Sequence, residues 1–153
     1  MTKREMSSKF RRALEGLSKQ PSTYLERTEG WMDRLKPLPR VLVCGGRNFE
    51  DELLLAVTME SIRETRGISM VIGGGSRGAD TMAEEWAKSR AIECVVFDVD
   101  WVGLGRAAGP IRNQQMFDEG KPNLVVAFPG GRVTADMARK ARAAGVEVIE
   151  VGG

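Results

Sequence analysis

The apolar residues of this chain follow two alternating patterns, short uninterrupted runs and helical stripes. The runs cover residues 40–44, 68–72, 92–97, 123–128 and 146–151. Such runs are typical of strands buried on both faces of a parallel sheet. The stripes between them predict helices over residues 50–66, 79–91, 110–118 and 134–144. Five strands alternating with four helices predict the α/β class, as a Rossmann-like doubly wound parallel sheet covered on both faces.

The sequence also predicts which residues of the first helix face the sheet and where the third helix begins. In the helix over residues 50–66, the predicted inner face consists of Leu53, Leu54, Val57 and Ile62. Residues 98–109 are predicted to be irregular, with Pro110 opening the following helix in a first-turn position.

Residues 1–39 differ from the rest of the chain in charge. Residues 1–40 carry ten basic and five acidic side chains, whereas residues 41–153 carry thirteen basic and sixteen acidic ones. Helical stripes over residues 10–17 and 24–35 precede the proline-rich segment Lys36–Pro39. We therefore expect a basic helical extension with a linker over residues 1–39, and a separate domain over residues 40–153. The extension packs on a protein surface or, as the less favoured alternative, contacts nucleic acid through residues 1–36.

The composition excludes several kinds of chemistry. The 153 residues include no histidine, which excludes histidine-dependent catalysis and histidine metal sites. No metal and no cofactor is expected. Cys44 and Cys94 lie in apolar runs, as buried thiols of a reducing compartment do. No apolar run approaches the ~18 residues of a membrane helix, and the charged N-terminus lacks a signal-peptide core. We expect a cytoplasmic protein without membrane contact.

Glycine clusters follow three of the predicted strands. They are Gly45-Gly46, Gly73 to Gly75 and Gly130-Gly131, and each precedes a helix. The carboxyl ends of parallel strands lie at one edge of the sheet, where ligands bind in this fold class, so these loops should meet. Glycine lets the backbone approach a ligand closely, and the free N–H groups of a helix start attract anions. The pattern favours a phosphate-bearing ligand at this rim over three unrelated turns.

Four segments in combination are similar to a known family. They are Cys44–Phe49, Gly73–Asp80, Asp100–Met116 and Phe128–Met137. Over residues 40–153 they resemble the YspA-like branch of the SLOG superfamily, whose relatives include the LOG phosphoribohydrolases and the DNA-processing protein A family. The resemblance implies a Rossmann-like domain that binds nucleotides or nucleotide-derived ligands. It also implies a role in nucleotide signalling, bacterial conflict or phage defence.

The rim loops and the resemblance together predict a set of ligand-binding residues. These are Gly45, Gly46, Arg47, Gly73, Gly74, Gly75, Ser76, Arg77, Gly78, Asp80, Trp101, Asn113, Pro129, Gly130, Gly131 and Thr134. Several have a second interpretation. Asp80 either binds a ribose hydroxyl or caps a helix, and Arg47 and Arg77 either reach a phosphate or are exposed loop side chains. Trp101 either stacks on a base or packs in the interior.

The resemblance to the LOG enzymes suggests Arg112 and Asp136 as catalytic residues. Arg112-Asn113-x-x-Met116 resembles their Arg-Lys-x-x-Met segment, and its arginine could hold a phosphate or carboxylate. Their second segment, Pro-Gly-Gly-x-Gly-Thr-x-x-Glu, is matched incompletely. Met137 stands in place of its glutamate, and Val133 in place of its third glycine. Asp136 either substitutes as the acid–base group or complements the helix dipole.

Two functions are therefore expected to compete, with a third held in reserve. The first is a binding protein or sensor for a nucleotide-derived ligand, such as one of the NAD or ADP-ribose type. The second is a phosphoribohydrolase-like enzyme that cleaves the N-glycosidic bond of a nucleotide. The third is nucleic-acid binding through the basic extension. The resemblance also implies a homo-oligomer.

Overall fold

Five parallel strands form one sheet in the computed structural model, which describes residues 37–99 and 101–152. Their bounds are β1 (Arg40–Cys44), β2 (Met70–Gly73), β3 (Glu93–Val96), β4 (Leu124–Ala127) and β5 (Glu147–Glu150). The strand order is β3-β2-β1-β4-β5, and every neighbouring pair is parallel. This confirms the predicted α/β, Rossmann-like class.

Helices connect the strands and cover both faces of the sheet. They are α1 (Glu52–Thr65), α2 (Ala79–Ser89), α3 (Trp101–Leu104), α4 (Ala108–Gly120) and α5 (Arg132–Ala143), with a 3₁₀ turn at Gly105–Ala107. Leu38–Gly153 is one compact unit. The predicted helices of residues 1–36 lie outside the described residues, and the division near residue 39 stays a prediction. Within the described ranges, no helix is both long and apolar enough to cross a membrane.

The central strand β1 shows how the two layers of the core arise. Val41 and Val43 point to the face covered by α1 and α2. Leu42 and Cys44 alternate with them and point to the face covered by α4 and α5. In a strand that is buried on both faces, the residues that point to either face are apolar. The sequence of β1 from Val41 to Cys44 is therefore a continuous apolar run.

The predicted inner face of α1 was wrong at two positions. The exposed fraction of Leu53 is 74% and that of Val57 is 58%, whereas Leu55, Met59 and Ile62 are buried. The helix carries apolar residues on both sides. Residues 55, 59 and 62 follow helical spacing as well as the predicted residues do. At 100° per residue they lie on the side of the helix roughly opposite residues 53 and 57.

The segment predicted to be irregular is largely helical. The helix α3, the 3₁₀ turn and the first turn of α4 occupy residues 101–109. Pro110 is consequently the third residue of α4 and not its first. The first turn still tolerates it, because the backbone nitrogens there have no intrahelical acceptor.

The strand order reverses between β1 and β4, which makes their carboxyl ends the switch point of the sheet. After β1 the chain turns toward β2 and β3, and after β3 it crosses to β4 and β5 on the other side. Loops leaving β1 and β4 therefore diverge to opposite faces and leave a crevice between them.

The glycine loops at this crevice pack directly on one another. A Cβ on Gly45 would lie 2.5 Å from the Cβ of Ala79, and one on Gly46 would lie 3.0 Å from the carbonyl oxygen of Pro129. The Gly46 nitrogen donates a hydrogen bond of 2.8 Å to that same carbonyl. Gly78 has φ +84°, and its Cβ would overlap the carbonyl oxygen of Gly46. Part of the glycine content is thus required by the contact between loops.

Gly78→Ala and Gly145→Ala form a matched pair that tests this packing. Both glycines have positive φ, +84° and +76°, but an added Cβ meets atoms within 4 Å only at Gly78. Gly145→Ala should cost roughly 1–2 kcal/mol, the strain of a left-handed backbone. Gly78→Ala should cost roughly 1–3 kcal/mol more, through steric overlap with the first loop and through a backbone conformation (φ +84°, ψ −127°) that lies outside the left-handed helical region. Urea unfolding measures both, and equal losses would contradict the loop contact.

Candidate functional site

A cavity of about 250 Å³ opens at the switch point. Four segments line it: the loop after β1, the loop after β2 with the start of α2, the middle of α4, and the start of α5. Its lining residues are Cys44, Gly45, Gly46, Arg47, Ser76, Asp80, Arg112, Asn113, Gly131, Arg132, Val133 and Thr134. Every lining segment other than α4 adjoins the carboxyl end of a strand, as expected for a ligand site in this fold class.

Arg112 lies on α4 and its guanidinium is buried beneath the loop after β2. Nη1 donates to the Gly74 carbonyl at 3.0 Å and to the Ser76 hydroxyl at 3.3 Å, and Nη2 donates to Asn113 Oδ1 at 3.4 Å. Gly74 leaves room for this arrangement, because a Cβ there would lie 2.5 Å from Nη1 and would displace the guanidinium. The buried Nε atom has no hydrogen-bond acceptor. An acceptor supplied by a ligand would remove the cost of that unpaired donor.

The charge of Arg112 is only partly balanced. Burial lowers the pKa of Arg112, and the nearby charge of Arg47 lowers it further, whereas the charge of Asp80 raises it. An arginine stays protonated in spite of such shifts. Arg47 and Arg112 line one cavity together with Arg132, and an anion placed there would reduce the repulsion between these positive charges.

Asp80 is the buried carboxyl group of the cavity wall. It is the second residue of α2, and its Oδ2 accepts a hydrogen bond of 3.3 Å from the Ser76 backbone nitrogen. Burial raises the pKa of Asp80 to about 6, although the charge of Arg112 and hydrogen bonds from the Ser76 and Gly74 backbone lower it. Burial, with the charge of Asp80, raises the pKa of the neighbouring Cys44 thiol to about 12. Cys44 is therefore a neutral thiol and not a nucleophilic thiolate at neutral pH.

Asp136 ties α4 to α5 beside the cavity. Its Oδ2 accepts hydrogen bonds from Asn113 Nδ2 at 3.1 Å and Lys140 Nζ at 2.8 Å, and its Oδ1 accepts one from Arg139 at 2.7 Å. Burial alone would raise the pKa of Asp136, but the Lys140 and Asn113 hydrogen bonds and the nearby cations lower it overall. Asn113 Nδ2 also donates to the Val133 carbonyl at 2.8 Å. These contacts make Asp136 a positioning residue for Asn113.

A second hollow of about 420 Å³ adjoins the first. It is lined by Arg47, Gly74, Gly75, Ser76, Arg77, Asp98 and Val99. Arg47 and Ser76 belong to both hollows. The Asp98 carboxylate lies against the backbone of Gly75, where an added Cβ would be 2.8 Å from Oδ1. The second hollow therefore combines cationic and anionic side chains with backbone polar groups.

Comparisons with known proteins agree with this architecture. The family model described as "YspA, cpYpsA-related SLOG family" matches residues 39–102. Gene 61 protein of Mycobacterium phage D29 is 35% identical over 122 residues, which cover 74% of this chain and 96% of that protein. The chain belongs to the YspA, cpYpsA-related SLOG family.

A solved structure shows the same fold in a larger protein. DNA processing protein A (DprA) from Streptococcus pneumoniae matches with a TM-score of 0.61 and 16% sequence identity, over 76% of this chain and 51% of that one. This SLOG chain thus spans about half the length of that structure. At this identity the likeness shows the fold, and it agrees with the Rossmann-like sheet described above.

The structure brings together many of the residues that the sequence predicts for this SLOG site. The first cavity includes Gly45, Gly46, Arg47, Ser76, Asp80, Arg112, Asn113, Gly131 and Thr134. Gly74, Gly75 and Arg77 line the second hollow. Gly73 ends β2, Gly78 packs against the first loop, and Pro129 and Gly130 face a separate hollow beside β5. Trp101 begins α3, and its predicted stacking lies outside the side chains that the structure describes.

Two predicted catalytic positions have different surroundings. Arg112 lines the cavity, whereas Asp136 is not among its lining residues, so an acid–base role for Asp136 stays a prediction. Met137, which stands where the LOG enzymes have glutamate, is fully buried between α5 and the sheet. No carboxylate reaches the cavity from that position.

Sequence reasoning missed five lining residues, of which Arg132, Cys44 and Asp98 carry ionisable groups and Val133 and Val99 do not. Arg132 follows Gly130-Gly131 as Arg47 follows Gly45-Gly46, and the same rule would have found it. Cys44 was predicted as a buried thiol, which it is, but it also lines the cavity. Asp98 lies two residues after the edge strand β3, and no motif marks it. Among the described residues, no cluster of three or more Cys, Asp or Glu side chains could hold a metal ion.

Proposed function

We propose that this protein binds a nucleotide-derived ligand at the switch point, with a phosphate group in the first cavity, as a sensor or binding protein. The observation that carries the proposal is the buried guanidinium of Arg112, which lines that cavity and has an Nε donor without an acceptor. Phosphate oxygens are strong acceptors and match the arginine fork.

The backbone around the cavity favours the same ligand chemistry. The helices α2 and α5 begin at its edge. Their N-cap residues are Gly78 and Gly131, which have no side chain that could cap the helix. The first N–H groups of a helix need acceptors, and the helix dipole attracts negative charge. A Cβ on Gly131 would meet nothing within 4 Å, so there is open space beside the start of α5. A phosphate there would accept hydrogen bonds from backbone and side chains together.

The second hollow supports a ligand larger than a mononucleotide. Because Arg47 and Ser76 line both hollows, one ligand could extend from the first into the second past these side chains. A diphosphate bridge between two nucleoside or sugar units fits this arrangement, as in ligands of the NAD or ADP-ribose type. In the second hollow, the Asp98 carboxylate could accept hydrogen bonds from sugar hydroxyl groups.

Arg112→Lys should reduce the affinity for ADP-ribose by about tenfold or more. Lysine keeps the charge but loses the fork, and hydrogen bonds to charged groups contribute roughly 1.5–3 kcal/mol. Calorimetric titration measures the change. Arg63→Gln is the control, because Arg63 lies exposed in the last turn of α1, and it should bind normally. Unchanged affinity in Arg112→Lys would contradict the proposal.

Asp98→Asn tests whether the ligand extends into the second hollow. The variant should weaken binding of ADP-ribose by several-fold and leave binding of AMP unchanged, because only the larger ligand reaches Asp98. Glu93→Gln, an exposed change at the opposite end of β3, is the matched control. Equal losses for both ligands would show that Asp98 acts through the fold and not through the second hollow.

The alternative function, hydrolysis of the N-glycosidic bond, can be distinguished from binding by whether the ligand stays intact. Met137 is buried and the Asp136 carboxylate is held by Asn113, Arg139 and Lys140, so neither offers an unengaged acid–base group. Prolonged incubation should therefore return AMP and ADP-ribose intact by chromatography. Release of free adenine that disappears in Asp136→Asn would instead establish N-glycosidic hydrolysis.

Two expectations remain as proposals about the whole chain. Nucleic-acid binding through residues 1–36 falls outside the described residues. Assembly into a homo-oligomer rests on the family resemblance alone.

A further inference from the structure

We propose that the cavity takes up its anionic ligand together with one proton, which is carried by the Asp80 carboxyl group. This proposal rests on the proposed function, because it concerns the same cavity. It assigns Asp80 the role of a specificity-determining residue, in addition to any contact with a ribose.

Asp80 and Arg112 hold the same short loop from two different helices. Asp80 on α2 accepts the Ser76 backbone N–H, while Arg112 on α4 donates to the Gly74 carbonyl and the Ser76 hydroxyl. The exposed fractions of the two residues are 6% and 7%, and both line the cavity. Any anion that reaches Arg112 therefore enters a confined space beside a carboxyl group.

A phosphate and an ionised carboxylate would repel each other there. The charge of Arg112 stabilises the ionised form of Asp80 in the empty cavity. Once a phosphate pairs with Arg112, less of that stabilisation remains for the carboxylate, and a second negative charge lies nearby. A protonated Asp80 removes the repulsion and supplies an O–H donor to the phosphate.

Other ionisable side chains also line the cavity and the adjoining hollow. From β1, Cys44 contributes a thiol whose pKa is raised to about 12 by burial and by Asp80. The remaining charged groups are Arg112 on α4, Arg132 on α5, Arg47 and Arg77 in the loops, and the Asp98 carboxylate of the second hollow. Because burial raises the pKa of Asp80 to about 6, it is the group of this cavity positioned to exchange a proton near neutral pH.

The direction of the pH dependence follows from this. With a pKa of about 6, Asp80 is mostly ionised at pH 7 in the empty protein, and ligand binding raises that pKa further. Binding therefore takes up a proton. Affinity is highest below about pH 6 and falls by about tenfold per pH unit above it, until the pKa of the complex is passed.

Calorimetry with ADP-ribose tests the proposal, because its diphosphate bridge does not titrate in this range. Titrations from pH 6 to 8.5, in buffers of different ionisation enthalpy, yield both the affinity and the number of protons taken up. The protein should take up protons when it binds ADP-ribose above about pH 6, to a maximum of one per ligand. Asp80→Asn keeps an acceptor for the Ser76 N–H, and its affinity should be independent of pH. Asp118→Asn, an exposed change on α4, should keep the original pH profile.

The outcomes separate this proposal from the function on which it rests. Binding of ADP-ribose with no proton uptake would overturn the role of Asp80 and leave the binding function standing. This readout needs only the unmodified protein, so it holds even if Asp80→Asn does not fold. Proton uptake that persists in Asp80→Asn would assign the proton to another group. Failure of ADP-ribose to bind at any pH would overturn both proposals.

Discussion

The site depends on burying one positive charge, the guanidinium of Arg112, at the point where the sheet changes direction. Removing such an ion from water costs several kcal/mol unless hydrogen bonds and an opposite charge compensate it. Here the Gly74 carbonyl, the Ser76 hydroxyl and the Asn113 side-chain oxygen accept hydrogen bonds from it, and Asp80 supplies the nearby negative charge. The compensation is incomplete, because Nε has no acceptor. Because the buried guanidinium of Arg112 keeps one unpaired donor and lines the cavity, an anion in the cavity would complete its hydrogen bonds and balance its charge.

The glycines serve this arrangement in two distinct ways. Gly74 makes room for Arg112, and Gly78 and Gly45 let the first and second loops touch through their backbones. These glycines bring the ends of β1, β2 and β4 close enough to share one cavity. Gly131, with open space around it, is the kind of position where a ligand could approach the backbone. A high glycine count at a strand end therefore reflects both packing between loops and access for a ligand.

The sheet and the location of the site could be predicted from sequence, but the orientation of individual side chains could not. Continuous apolar runs such as Val41–Cys44 identify buried strands, and the glycine clusters after three of these runs indicate the edge of the sheet where the candidate cavity lies. In α1, apolar residues occupy both sides of the helix, so only packing against the sheet selects Leu55 and Met59 over Leu53 and Val57. Likewise, Asp80 and Asp136 both lie near helix starts, and the sequence does not show which one lines the cavity.

That choice between two carboxyl groups changes the chemistry of the site. The LOG-like pattern puts an acid on the helix after the fourth strand, at the position that Met137 occupies here. The structure seats Met137 in the core and engages Asp136 in three polar contacts, and the carboxyl group that lines the cavity comes from α2. Because an ionised Asp80 would repel a phosphate bound in this cavity, the proposed binding depends on the protonation state of Asp80.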